Sequence, residues 1–500
     1  MGKGHIPGER YLYTRNNTLQ PHLLFAECQE ADRKLHLPPK CCSVRSNLAF
    51  MMFLGFAVVY GLRVNLSVAM VAMVNATNGQ PTSNGSEEKE SHTHMLFQVP
   101  QYSWDPETQG MLLGAFFFGY LFTQIPGGYL SGRFGGSIFL GGGVLGTAVL
   151  TLLTPLAAQL GPSWLFALRA LEGFGEGVTF PAQMAMWACW APPLERARLT
   201  TFSGAGSNFG AFVALPLTGF ICNSLGWPAV FYCFGAGCLW AVLWFILVSD
   251  EPRTHRRISD QEKDYIINSI GSELIFILSE TGGSHGWSVP LLPMLLSVPL
   301  WAIIITQMCA NWSYYTLLTS LPTYMDTVLH FDLRQNSFLS ALPYLGAWLF
   351  SILSGVLADS LLEREILSIT TVRKIFTLVG LLLPAGFLFA VGFTGCSSTL
   401  AVTFLTVSTT IGGISAAGVF MNQIDIAPRY AGMLLGITNT FGTIPGVLAP
   451  IARSLVGWRN VFCLSAGVSA IGALVFTLFG SGRIQRWAVR EHGTDADREH

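Results

Sequence analysis

Twelve apolar blocks, each about 18 residues or more, recur along the chain. They fall near 47–74, 108–131, 137–159, 163–189, 200–222, 228–249, 298–326, 337–358, 375–394, 400–421, 431–456 and 460–480. Blocks of this length cross the hydrocarbon layer as helices, because lipid offers no partner to an unpaired backbone amide or carbonyl. Charged residues make up only 11% of the 500 positions, against about 25% in a soluble domain. The fold class expected is therefore an all-α membrane protein of about twelve transmembrane helices.

Charge placement divides the chain. Arg133, Arg196, Arg198, Arg253, Arg256, Arg257, Lys263, Arg364, Arg373, Lys374, Arg429, Arg483 and Arg486 share one face with Lys34, Lys40 and Arg45. The positive-inside rule makes that face cytoplasmic and places both termini there. The organisation expected is a cytoplasmic tail (1–46), a six-helix bundle (47–249), a cytoplasmic central loop (250–297), a second six-helix bundle (298–480) and a cytoplasmic tail (481–500). The loop 75–107 then faces the lumen or exterior, and it carries two glycosylation sequons, at Asn75 and Asn84. The first 46 residues lack an apolar signal-peptide core, so the first span is expected to act as an uncleaved anchor. The ten cysteines are scattered without metal spacing. Cys41 and Cys42 precede the first span, where palmitoylation and unmodified thiols are both open readings.

The two halves repeat weakly. "GYLFTQIPGGYLSGRFGG" (119–136) closes the second span, and "GAWLFSILSGVLADSLLER" (346–364) closes the eighth. Two parallel six-helix halves around a central substrate site follow the major facilitator plan. Gly128 and Gly355 are expected to permit close helix approach. Arg133 and Asp359, at helix ends, are candidate gating groups, and Glu195, Arg196, Asp425 and Arg429 are expected to pair across the halves.

The fourth span contains "RALEGFGEG". Arg169, Glu172 and Glu176 are spaced i, i+3, i+7 and share a helix face, with Gly173 and Gly177 beside them. Each central charge costs about 2.5–3.5 kcal/mol in a bilayer, so the three must face a wet cavity or one another. One reading is an ion pair that locks packing; the other is a proton-coupling site beside a substrate path. Arg63, inside the first span, is a second anomaly. A guanidinium binds a carboxylate through two parallel hydrogen bonds, which predicts an anionic substrate; a snorkelling or paired arginine is the alternative reading. Tyr60, Tyr120, Tyr314 and Tyr315 are further candidate cavity residues.

No Walker A loop, HExxH helix or GxSxG elbow occurs, so an enzyme is not expected. Transport is expected to draw on an ion gradient, without a metal or organic cofactor. A receptor built on the same fold is a rival reading, marked by binding without flux.

The stretches "YGLRVNLSVAM", "YSWDPETQGMLLGAFFFGYLFTQIPGGY", "LRALEGFGEGVTFPA", "WAPPLERARL" and "LLGITNTFGTIPG" closely resemble the anion:cation symporter family of the major facilitator superfamily. The resemblance runs from about Cys41 to Trp487 and is strongest to its sialic-acid-exporting branch. It implies a lysosomal symporter that exports sialic acid and glucuronic acid together with a proton, with a plasma-membrane role with nitrate and a vesicular role with acidic amino acids also associated; a monomer is expected. It also implies that Arg63 meets the substrate carboxylate and that Arg169, Glu172 and Glu176 serve proton coupling. Partners other than substrate and lipid, nucleic acid included, are not expected. Sodium- or potential-driven transport of organic anions, phosphate, urate or acidic amino acids is the alternative. Three positions depart from the family pattern. Met184 and Gln423 stand where relatives carry histidines, and Ala310 stands where the glutamate transporters carry an arginine. An acidic dileucine signal is not evident at Leu23-Leu24.

Overall fold

The computed structural model describes residues 43–74, 102–279, 290–329, 331, 333–394 and 397–489. Asn75, Asn84, the two chain ends and the Cys41-Cys42 pair lie outside them. Among the described residues there is no strand. The first six spans are Val44–Val74, Pro106–Phe134, Gly136–Leu152 with Thr154–Leu160, Pro162–Glu176 with Thr179–Trp190, Arg196–Gly204 with Gly206–Leu225, and Trp227–Phe234 with Gly237–Leu247. The second six are Val298–Thr327, Leu333–Glu363, Ile369–Val391, Ser398–Gly412 continuing to Asn422–Ile426, Ala431–Val456 and Trp458–Phe479. Nine of the described helices are long and apolar enough to cross a membrane, ten when the bent third span counts as one.

Several spans are broken where the sequence weakens the backbone ladder. The third bends by 48° before Thr154–Leu160, whose second residue is Pro155, and proline has no N–H to give the preceding turn. The fourth breaks at Gly177 and Val178. The tenth passes through a 3-10 turn, Gly413–Ala417, before Asn422–Ile426.

The central segment is not the plain loop expected for 250–297. It contains a helix, Asp260–Ser279, with Asp260 and Glu262 in its first turn, where carboxylates favour the helix dipole. Ile266 is fully buried, and Tyr265 and Ile270 pack against the same core. Glu262 reaches the start of the first span and accepts from Val44 N (3.0 Å) and Arg45 N (3.2 Å), two amides that have no partner within their own helix. Polar composition hid this amphipathic helix.

The halves meet along two seams. The second span packs on the eleventh, and the fifth on the eighth. Gly128 lies against Gly432 O and within 2.9 Å of Met433 Cα as measured from the position a Cβ would take, and Gly355 lies against Thr201 with Ala197 O at 3.1 Å. The two repeat glycines thus occupy equivalent contacts, as the motif predicted.

Two of the four residues expected to pair across the halves, Glu195 and Asp425, pair within them instead. Glu195 pairs with Arg45 (2.8 Å) and Arg198, all in the first half. Asp425 pairs with Arg373 (2.6 Å), both in the second. Sequence gives the charge of such residues but not which helix end lies opposite. A polar link between the halves is made by Asp359, which accepts from Arg198 N at 2.7 Å. Arg133 is exposed and donates to Tyr129 on its own helix (3.2 Å).

Candidate functional site

The charges of the first and fourth spans are brought together. Arg63 donates from Nε to Glu176 Oε1 (2.9 Å) and from Nη2 to the same oxygen. Arg169 donates from Nη1 to Glu172 Oε2 (2.6 Å). Both glutamates are fully buried. Two cations and two anions leave the cluster neutral, which is how four ionisable groups persist in this core.

The surrounding helices hold the four in place. Arg169 also donates to Arg63 O (3.1 Å) and Leu62 O (3.5 Å), so the fourth span grips the backbone of the first beside the other arginine. Thr154 Oγ1, at the start of the bent half of the third span, donates to Glu172 Oε1 (3.3 Å). Gly173 and Gly177 form the seam with the second span. A Cβ at Gly173 would strike Phe116 O, and one at Gly177 would lie 2.7 Å from Tyr120 O. This approach brings the rings of Phe116 and Tyr120 to Arg63, whose guanidinium carbon lies 4.6 Å from the Tyr60 centroid, 4.7 Å from Phe116 and 4.8 Å from Tyr120. Three aromatic faces supply further cation stabilisation.

The pairing leaves bonding capacity unused. Arg63 Nη1 and Glu176 Oε2 are buried and have no hydrogen-bond partner among the described residues. An unpaired buried donor on a cation is costly, so it marks a place where a ligand group gains most.

A cavity of about 250 Å³ lies between the halves. It is slightly smaller than typical small-molecule sites of about 300–1,000 Å³, which suits a single small solute. Tyr60, Tyr120, Tyr314 and Tyr315 all line it. Arg63, Glu172 and Glu176 do not; Tyr60 and Tyr120 both line the cavity and stack on Arg63. None of the lining residues is charged. The walls instead carry amides (Gln183, Asn208, Gln307, Asn311, Asn439) and hydroxyls (Thr200, Ser313, Ser351, Ser408, Ser469).

Several of these groups bridge the halves. Asn439 donates to Tyr120 Oη (3.2 Å) and Gln124 Oε1 (3.1 Å), and accepts from Gln307 (3.2 Å). Tyr314 donates to Asn208 (3.4 Å) and meets Tyr60 edge-on at 6.5 Å. The amides were missed in the sequence, although "TQMCANW" (306–312) and "TNTFG" (438–442) place them inside apolar spans, where a buried amide demands a partner. The three departures from the family pattern cluster here. Met184 and Ala310 line the cavity, and Gln423, fully buried, lies 3.1 Å from Gln307.

The comparisons with known proteins agree with this architecture. The profile of the Major Facilitator Superfamily matches residues 49–450. Sialin from Ovis aries and sialin from Homo sapiens are each 52% identical over 467 residues, covering 91% of this chain and 92% of theirs. The Mus musculus sodium-dependent phosphate transport protein 1 is 39% identical, covering 90% of this chain and 96% of its own. Among solved structures, the proton:xylose symporter XylE bound to 6-bromo-6-deoxy-D-glucose superposes with a TM-score of 0.63 at 16% identity, over 88% of this chain and 98% of that one. That likeness bears on the fold alone. The chain is a multi-pass membrane transporter that belongs to the major facilitator superfamily, within the group of relatives that includes sialin.

Proposed function

We propose that the protein is a proton-coupled symporter that exports sialic acid and other acidic monosaccharides from the lysosome by alternating access. The observation that carries this reading is the Arg63–Glu176 pair, with its unused Arg63 Nη1, behind a neutral cavity wall rich in amides and hydroxyls. A sugar acid has one carboxylate and many hydroxyls. Arg63 suits the first, and the wall suits the second.

Coupling follows from charge balance. When Glu176 takes up a proton, Arg63 loses its buried counter-charge, and a substrate carboxylate restores it. By linkage, the anion then strengthens proton binding by the same factor by which the proton strengthens anion binding. After release of both, the Arg63–Glu176 pair re-forms, and the empty carrier returns with its core neutral. Arg169 and Glu172 form a second balanced pair that fixes the first span at Arg63 and offers a further carboxylate for the proton. Asp359, bonded to Arg198 N, and Arg133 act as gating groups on the face that carries both termini, taken as cytoplasmic. A pH difference of two units supplies about 2.7 kcal/mol per proton, near a hundredfold concentration ratio.

The test is uptake of radiolabelled sialic acid into proteoliposomes, with and without an inward proton gradient, with glutamate and phosphate in parallel and sodium as the control ion. Gradient-stimulated sialic acid uptake supports the proposal. Sodium-driven uptake of phosphate without it supports the second reading, which draws on the relative named as a sodium-dependent phosphate transport protein.

A further inference from the structure

A second cavity, also about 250 Å³, opens on the face where the first span begins and the sixth ends. Its walls include Asn47, Phe50 and Met51 of the first span, Trp190 of the fourth, Leu247 of the sixth, and Arg257 of the segment that follows. Phe50 is 51% exposed and Leu247 37%, so the apolar wall continues onto the surface of the bundle. The cavity lies at span ends, the level at which lipid headgroups meet acyl chains.

The cationic side is held ready. His255 accepts from Arg257 N at Nδ1 (3.2 Å) and so donates from Nε2 to Leu247 O (3.3 Å). Its ring meets Trp190 edge-on at 5.7 Å, and Trp190 Nε1 donates to Asp250 O (2.9 Å). These contacts fix the backbone of the turn to the end of the sixth span. The guanidinium groups of Arg253, Arg256 and Arg257 make no ion pair or hydrogen bond among the described residues. Of the nearby acids, Asp250 accepts from Ser137 N (2.7 Å), Glu262 accepts from Val44 N (3.0 Å) and Asp260 pairs with Lys263 (3.1 Å), while Glu251 and Asp264 are exposed.

We infer that this cavity binds one anionic glycerophospholipid. The phosphate and acidic headgroup sit on Arg257, within the positive field of Arg253 and Arg256, and an acyl chain runs along Phe50, Met51 and Leu247. A neutral apolar solute leaves the arginine unmatched, and a free phosphate leaves the apolar wall bare, so the walls call for both parts in one molecule.

The test is native mass spectrometry of the full-length protein in mild detergent with dioleoyl phosphatidylserine or dioleoyl phosphatidylcholine. Phosphatidylserine is expected to be retained preferentially, and Arg257→Ala is expected to cut its retention about fivefold, the effect of one interfacial cation. Met51→Trp, which fills the cavity and keeps the charges, is expected to lower retention as well. Equal retention of the two lipids, or unchanged retention in Arg257→Ala, overturns the inference. So does full displacement of the lipid by soluble glycerophosphoserine or inorganic phosphate, which would mean an anion site without a lipid requirement.

Discussion

Arg63 and Glu176 stand 113 positions apart in the chain, yet the guanidinium of one lies against a single carboxylate oxygen of the other in the core of the first half. Breaking a buried pair of this kind by removing one partner costs about 3–5 kcal/mol, because it strands the other charge, whereas replacing both by apolar groups is often neutral. Arg63→Ala is therefore expected to abolish sialic acid uptake and to lower the thermal unfolding midpoint in detergent. Arg63→Met combined with Glu176→Met is expected to recover the midpoint while transport stays absent. Recovered transport in the double variant would remove both residues from the mechanism.

Glu176→Gln mimics the protonated carboxyl. Arg63 then lacks its internal counter-charge whatever the pH, and the anion should bind without a proton. Exchange of labelled for unlabelled sialic acid across the membrane should persist, whereas accumulation driven by a proton gradient should fall at least tenfold. Gradient-driven accumulation at the wild-type level would assign the proton to another group, Glu172 first.

The seam between the second and fourth spans has no room for a methyl group at Gly173, where a Cβ would meet Phe116 O. Backbone cannot yield as a flexible side chain does. Gly173→Ala is expected to destabilise by about 1–3 kcal/mol, in the manner of an overpacked core, and to reduce folded yield. The same substitution at Gly142, with nothing within 4 Å of its Cβ position, should be silent in fluorescence-detected size exclusion.

Asp359 is expected to act on rate more than on affinity. It does not line the cavity, but it accepts from the Arg198 amide across the halves. Asp359→Ala should weaken closure of the halves there and slow net transport severalfold, with the substrate dissociation constant in detergent changed by less than about threefold. A large loss of binding with normal turnover would contradict the gating role.

The proposed orientation makes a separate prediction. Asn75→Gln and Asn84→Gln should each remove one glycosidase-sensitive mass step from protein expressed in a secretory cell. Absence of glycan at both sites in the wild type would count against a lumenal 75–107 loop.

Much of this site was legible in the sequence one residue at a time. Arg63, Arg169, Glu172 and Glu176 stand out because lipid penalises charge, and the i, i+3 spacing already offered the Arg169–Glu172 pair. The partner of Glu176 was not legible. The helix period gives the face a residue occupies, but not which face of the first span meets the fourth, because that is decided by packing between distant helices. For the same reason Glu195 and Asp425 were assigned partners in the wrong half. Gln307 and Asn439 escaped notice because a single amide in an apolar run carries a weak signal until its bonding partner, on another helix, is known. The Asp260–Ser279 helix was missed because its buried face is short and the polar residues around it read as a loop.

The central claim is that anion and proton enter together because both act on the Arg63–Glu176 pair. The most direct measurement is proton uptake by the purified protein in weakly buffered solution when sialic acid is added, followed with a pH indicator near neutral pH. The account predicts uptake of about one proton per bound anion in the wild type and none in Glu176→Gln, which still binds the anion. Saturating binding without proton uptake in the wild type, or equal uptake in Glu176→Gln, would contradict it.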